Sequence, residues 1–158
     1  MKVIDSAIDD QVIDNYMSII TSADFPWFYA QGAPSQSHYH NFNLKHIYVL
    51  DDGIQNSQYQ SHLDPFLSVL NVDKVHRSWV NCDIWDRTNR IEGMHQDREI
   101  GTTALFYLNT CNGFTLFEGG CKVQSQKGRM AMFPSSKPHS AVRQTNVIRR
   151  FTLTIVYS

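Results

Sequence analysis

Three cysteines, five prolines and a near-absence of charge imbalance set the first limits on this 158-residue chain. Cys82, Cys111 and Cys121 are odd in number and show no C-x-x-C spacing. That argues against a disulfide framework and against a cysteine zinc site. Fourteen basic residues face fifteen acidic ones, leaving a net charge of −1. The basic footprint of a nucleic-acid or membrane-surface protein is missing, so neither partner is expected. No apolar run approaches the roughly 20 residues of a membrane helix. The N-terminal MKVIDSAIDDQVIDNY carries acidic residues where a signal peptide needs an apolar segment. A soluble, cytoplasmic protein is the expectation. Linkers, repeats and charge blocks are also lacking, so residues 1–158 read as one domain.

What is present is globular: 42% hydrophobic and 18% charged residues, in a chain long enough to bury a core. The N-terminal part, about 1–74, reads as mixed. Val12, Ile13, Tyr16, Met17, Ile19 and Ile20 recur at helical spacing behind Asp9 and Asp10, which suit a helix start. An aromatic loop, DFPWFYAQGAP, follows, then a strand-like KHIYVLDDG (45–53) and a second helix over 62–70 with Pro65 in its first turn. From about 75 to 158 the texture changes to short β segments near 75–85, 102–109, 114–118, 121–124, 129–133, 138–143 and 148–157. Turn residues such as Gly119-Gly120 and Lys127-Gly128 separate them. The expected class is mainly β (α+β): a β-sandwich of jelly-roll type with the N-terminal helices packed outside.

Chemistry concentrates in GMHQDREIG (93–101). His95 and Asp97 are one residue apart, so on an extended chain both side chains point the same way and can share an ion. The β region downstream offers one further imidazole, His139 in PSSKPHSAV. Two imidazoles and a carboxylate form the facial triad of non-haem Fe(II) enzymes, whose open positions admit co-substrate and dioxygen. His38-x-His40 competes as a ligand pair by the same parity, whereas His46, His62 and His76 read as ordinary polar or half-buried positions. In RRFTLTIVY (149–157), Arg150, Thr152 and Thr154 share one strand face, alternating with Phe151, Leu153 and Ile155. A guanidinium flanked by hydroxyls suits a carboxylate; the competing reading makes Arg149-Arg150 a solvated basic pair.

Taken in order, these pieces resemble the 2-oxoglutarate and Fe(II)-dependent oxygenases, in the branch similar to prolyl 4-hydroxylases. The pattern is His95-Gln96-Asp97, TALFYLN (103–109), NGFTLFEGG (112–120), KGRMAMFPS (127–135), Pro138-His139 and RFTLTIVY (150–157). It spans about residues 77–158. RSWVNCDIWDRTNRIEGMHQD (77–97), with Asn81, and FPWFY (25–29) also look like segments of small phage-type members. The resemblance implies a cupin-like double-stranded β-helix, with His95, Asp97 and His139 on Fe(II). It implies Arg150 on the distal carboxylate of 2-oxoglutarate, assisted by Tyr107 and Thr152. The implied reaction couples 2-oxoglutarate and O2 to succinate, carbon dioxide and an oxidised substrate, by default a hydroxylated one, with ascorbate as a possible helper. The gap between His139 and Arg150 is longer than in the prolyl hydroxylases, which keeps Arg149 in play as the clamp. Trp79, Trp85, Arg87, Phe25, Trp27 and Phe28 are candidates for substrate contact. Peptidyl side chain and small metabolite both remain open as substrate. The alternative is a cupin-like metal- or ligand-binding or structural protein without turnover, in which His38 and His40 join His139 and Arg150 is structural.

Overall fold

A computed structural model describes residues 1–31 and 42–158, which places His38 and His40 outside the described residues. In chain order the elements are β1 (Lys2–Ile4), α1 (Asp10–Ile20), β2 (Phe28–Gln31), β3 (Phe42–Val49), α2 (Asp64–Leu67), β4 (Val75–Ile84), β5 (Thr102–Tyr107), β6 (Phe114–Phe117), β7 (Lys122–Gln124), β8 (Met130–Pro134), β9 (His139–Val142) and β10 (Arg149–Tyr157). Seven strands form one sheet in the order β1-β8-β5-β10-β4-β3-β2, and three form a smaller one, β7-β6-β9. Every pairing between named strands is antiparallel. This is the expected mainly β, cupin-like jelly roll with helices outside.

Alternation along β10 explains the layering. Phe151, Leu153 and Ile155 face the helical layer, where they pack with Ile13, Tyr16 and Ile20 of α1 and Phe66 of α2. Arg150, Thr152 and Thr154 turn the other way, into the space between the sheets. A period of two thus gives one strand an oily face and a polar one. β5 repeats the device: Ala104 and Phe106 join the helical side, while Leu105 and Tyr107 join Phe117, Val123, Ala131 and Phe133 between the sheets. α1 starts as expected, with the Asp9 side chain accepting from the Gln11 amide. It is pinned from within, because the Tyr16 and Tyr48 hydroxyls meet at 2.6 Å in the core.

Three local expectations shift. The strand expected over 45–53 starts earlier and stops at Val49, and Asp51–Gly53 forms a 3-10 turn. Gly53 sits at φ +86 with a hypothetical Cβ 2.9 Å from the Val75 carbonyl, so the chain must turn at a residue without a side chain. The helix expected over 62–70 is a 3-10 turn (Gln60–Leu63) followed by the single α-turn of α2, with Leu63 and Phe66 buried in the core and Leu67 and Leu70 packed against it. The N-terminal part also supplies three strands to the large sheet, including the short β1 and β2, whose three and four residues are too few to show alternation.

Candidate metal centre and its cavity

His95 and His139 are neighbours by backbone pairing before they are neighbours by chemistry. Each amide donates to the other's carbonyl at 2.9 Å, closing an antiparallel bridge at the end of β9. The Asp97 amide donates to the Ser135 carbonyl at 3.0 Å, which holds the third residue beside the first two. Their ligand atoms all lie within 4.8 Å of one another. His95 Nε2 is 3.8 Å from Asp97 Oδ1 and His139 Nε2 is 3.6 Å from Asp97 Oδ2. Adjacent ligands on an ion with bonds of about 2.1 Å sit roughly 3 Å apart, so modest contraction brings the three donors onto one ion.

The surroundings prepare these donors. His95 Nδ1 lies 3.1 Å from the Gly93 carbonyl and His139 Nδ1 lies 3.0 Å from that of Lys137. A carbonyl can only accept, so both Nδ1 atoms carry the proton and both Nε2 lone pairs are turned to the shared site. Burial holds the His139 pKa below its ordinary value, with the nearby His95 adding to the effect and Asp97 opposing it. The neutral, ligating form is therefore favoured. Thr103 Oγ1 donates to Asp97 Oδ2 at 2.8 Å, fixing the carboxylate, and Ser135 Oγ supports Thr103 at 3.0 Å.

The three residues line one side of a cavity of about 340 Å³ between the sheets. Arg150, Thr152 and Thr154 line it as their strand face demanded, with Asn81, Asp83, Glu92 and Thr115. Arg150 is 1% exposed, whereas Arg149 faces solvent. Gly113 makes room for the arginine stem: a Cβ there would stand 3.0 Å from Arg150 Cδ. The guanidinium is not idle. Nη1 donates to Asp83 Oδ2 at 3.1 Å, Nη2 to Thr115 Oγ1 at 3.3 Å, and the buried Nε meets no partner among the described residues. Tyr107 stands one step back, its hydroxyl donating to Thr115 Oγ1 at 2.8 Å. Burial raises its pKa, so it remains a donor.

Sequence reasoning missed Asp83, Thr115, Thr103 and Glu92. Parity held a signal for the first, since Asp83 is two residues beyond Asn81 on the inward face of β4. Of the aromatic candidates, Trp79 lines the cavity. Phe25 and Trp27 instead belong to the core on the helical side of the sheet. Phe28, Trp85 and Arg87 are exposed and do not line it, and Trp85 donates to the Thr145 carbonyl. Trp79 is thus the one aromatic candidate among the lining residues. His46 is structural, bonded to the Pro26 carbonyl and the Ser57 hydroxyl.

No family model and no curated protein matches the sequence. Solved structures match in fold. An oxidoreductase of the 2OG-Fe(II) oxygenase family from Burkholderia pseudomallei is 12% identical, with 98% of this chain and 82% of that one covered at a TM-score of 0.71. A Pseudomonas putida prolyl-4-hydroxylase is 14% identical, covering 99% and 90% at a TM-score of 0.62. The non-heme alpha-ketoglutarate-dependent epimerase SnoN from nogalamycin biosynthesis is 11% identical, covering 99% and 76% at 0.72. SnoN has also been solved with Fe3+, alpha-ketoglutarate and nogalamycin RO. The shared architecture is that of 2-oxoglutarate/Fe(II) oxygenases, over nearly the whole chain. Their chemistry ranges over hydroxylation and epimerisation, so the fold alone does not choose the reaction.

Proposed function

We propose that this protein is a 2-oxoglutarate- and Fe(II)-dependent dioxygenase, most simply a hydroxylase of a peptidyl side chain or small metabolite. One observation carries the reading: a His95–Asp97–His139 donor set and a buried arginine share one cavity. The donor set fits Fe(II), with two imidazole nitrogens, one carboxylate and no thiolate to favour zinc or copper(I). The fixed Nε2 lone pairs and the Thr103 bond to Asp97 orient it without help from an ion.

Fe(II) held there, with 2-oxoglutarate and O2, supplies an oxidant able to break a C–H bond while 2-oxoglutarate is converted to succinate. The chain's own residues do the positioning. Arg150, with its unpaired Nε, binds the distal carboxylate of 2-oxoglutarate. Thr115 links that guanidinium to the Tyr107 hydroxyl, and Thr152 adds a hydroxyl beside them on the same strand face. Leu105 and Ala141 add apolar surface to a lining that is otherwise mostly polar.

The test is anaerobic addition of Fe(II) and 2-oxoglutarate. A weak visible charge-transfer band is expected, absent in Asp97→Ala and weakened in Arg150→Ala. In air, slow succinate release should follow even without substrate. A protein that gives neither band nor succinate is a metal- or ligand-binding module rather than an oxygenase.

A further inference from the structure

Charge inside the cavity is unevenly satisfied. Three acids line it, and each is accounted for: Asp83 pairs with Arg150 at 3.1 Å, Glu92 with Arg143 at 2.8 Å, and Asp97 belongs to the metal donor set. Lys45 and Arg77 also line it. No hydrogen bond or ion pair with a described residue engages the Lys45 ammonium. It rests 5.3 Å from the centroid of the Trp79 ring, and the Arg77 guanidinium lies 4.9 Å from the same centroid. Among the described residues Arg77 pairs with Asp51, at 3.5 Å and 74% exposed, an arrangement of little energetic weight. Burial chiefly, and Arg77 next, hold the Lys45 pKa below its ordinary value, with Asp83, Asp97 and Glu92 across the cavity opposing them.

The sheet register says where these cations sit. On β10, Arg150 pairs with Asp83 and Val156 pairs with Arg77. The separation along the strand is 156 − 150 = 6 residues, so the two arginine backbones lie roughly 20 Å apart at about 3.3 Å per residue. Across β10 from Arg77, Val156 also pairs with Thr103, the residue that grips Asp97. Arg77 therefore marks the metal end of the cavity and Arg150 the far end. Lys45 pairs with Asn81, itself opposite Thr152, so its backbone lies between the two ends and its ammonium reaches towards Trp79. A ligand held by Arg150 leaves Arg77, Trp79 and that ammonium for a second molecule.

We propose that Lys45 and Arg77, both beside the Trp79 ring, form an oxyanion subsite that selects a substrate bearing a carboxylate or phosphate on an apolar or aromatic body. The inference deepens the oxygenase reading and rests on it for the identity of the occupant as substrate. Its test needs no turnover. With Mn(II) and saturating 2-oxoglutarate present, the full-length protein is titrated calorimetrically at low salt with phenylacetate, phenyl phosphate and the neutral phenylacetamide. At least one oxyanion should bind tenfold or more tightly than the amide, and the preferred one identifies the group. Lys45→Met and Arg77→Gln should each reduce that preference to threefold or less; Arg77, being partly exposed, carries the test if Lys45→Met does not fold. Equal binding of the amide, an undiminished preference in Arg77→Gln, or displacement of the oxyanion by added 2-oxoglutarate would overturn the subsite. Failure of 2-oxoglutarate itself to bind would instead sink the oxygenase reading, and the oxyanion preference would still be measurable.

Discussion

Asp83 is the residue whose removal should be most informative, because it holds the guanidinium that the co-substrate is proposed to need. Arg150 and Asp83 are 1% and 3% exposed and 3.1 Å apart, a buried ion pair in the cavity wall. Asp83→Asn keeps the shape and an acceptor oxygen but deletes the counter-charge. Removing one partner of a buried pair costs about 3–5 kcal/mol, and the retained carbonyl places this change near the lower figure. At about 2–4 °C per kcal/mol for a chain of this size, the metal-loaded, ligand-free protein should melt about 6–12 °C lower. 2-Oxoglutarate should reverse this. A second carboxylate about 5 Å from Asp83 is repelled by about 3 kcal/mol at an effective dielectric of 20. Part of that survives relaxation, so the variant should bind 2-oxoglutarate about ten- to a hundredfold more tightly. The assay is calorimetric titration with a redox-inert metal, paired with melting curves with and without 2-oxoglutarate. A variant that binds 2-oxoglutarate no better than the parent would refute the reasoning and show that Asp83 orients Arg150 rather than competing for it.

Other consequences follow from the same contacts. Thr103→Val removes the bond that fixes Asp97 and should weaken Fe(II) or Co(II) affinity about ten- to a hundredfold, read by competition with a chelator, while the jelly roll still melts cooperatively. Gly113→Ala puts a methyl against the Arg150 stem and should weaken 2-oxoglutarate binding while leaving metal affinity in place, a split that separate titrations will show. Burial, reinforced by Asp83 and opposed by Arg143, pushes the Glu92 carboxyl up to about 6 from 4.5. The folded state then holds a proton that the unfolded state has released between those values. Stability should fall by about 2 kcal/mol as pH rises through that window and level off above it, and Glu92→Gln should flatten that slope in denaturant titrations. Tyr16→Phe strands the Tyr48 hydroxyl in the core and should cost about 1–3 kcal/mol, whereas the Tyr16→Phe, Tyr48→Phe double variant should recover part of the loss.

Comparing residue with residue shows which kind of information a sequence carries. Arg150, Thr152 and Thr154 were placeable on a common face because a strand's side-chain period is two, and the cavity receives all three. His95 and Asp97 followed from the same parity. His139 needed more than parity, since nothing local says that residue 139 lies across a bridge from residue 95; the ordered family pattern supplied that. Asp83 was legible as facing inward and illegible as a partner. Its contact with Arg150 spans 67 residues, and only the pairing of β4 with β10 brings the two together. The placement of the aromatic candidates was illegible for a related reason. Phe25 and Trp27 are as aromatic as Trp79, but composition does not say which side of a sheet a loop returns to, and theirs returns to the helical side.

The distinction bears on what decides substrate in this fold. The proposed donors His95 and His139 face each other across a backbone bridge and Arg150 sits on the β10 ladder, so backbone pairing sets the positions of all three. Lys45 and Arg77 are ladder residues too, but on β3 and on the first half of β4, outside the span between His95 and Arg150 that holds the proposed metal and clamp residues. A change there alters the charge that meets an incoming molecule without moving a metal donor. β4 nevertheless ties the two proposals together, since it carries Arg77 towards one end and Asp83, the partner of Arg150, towards the other.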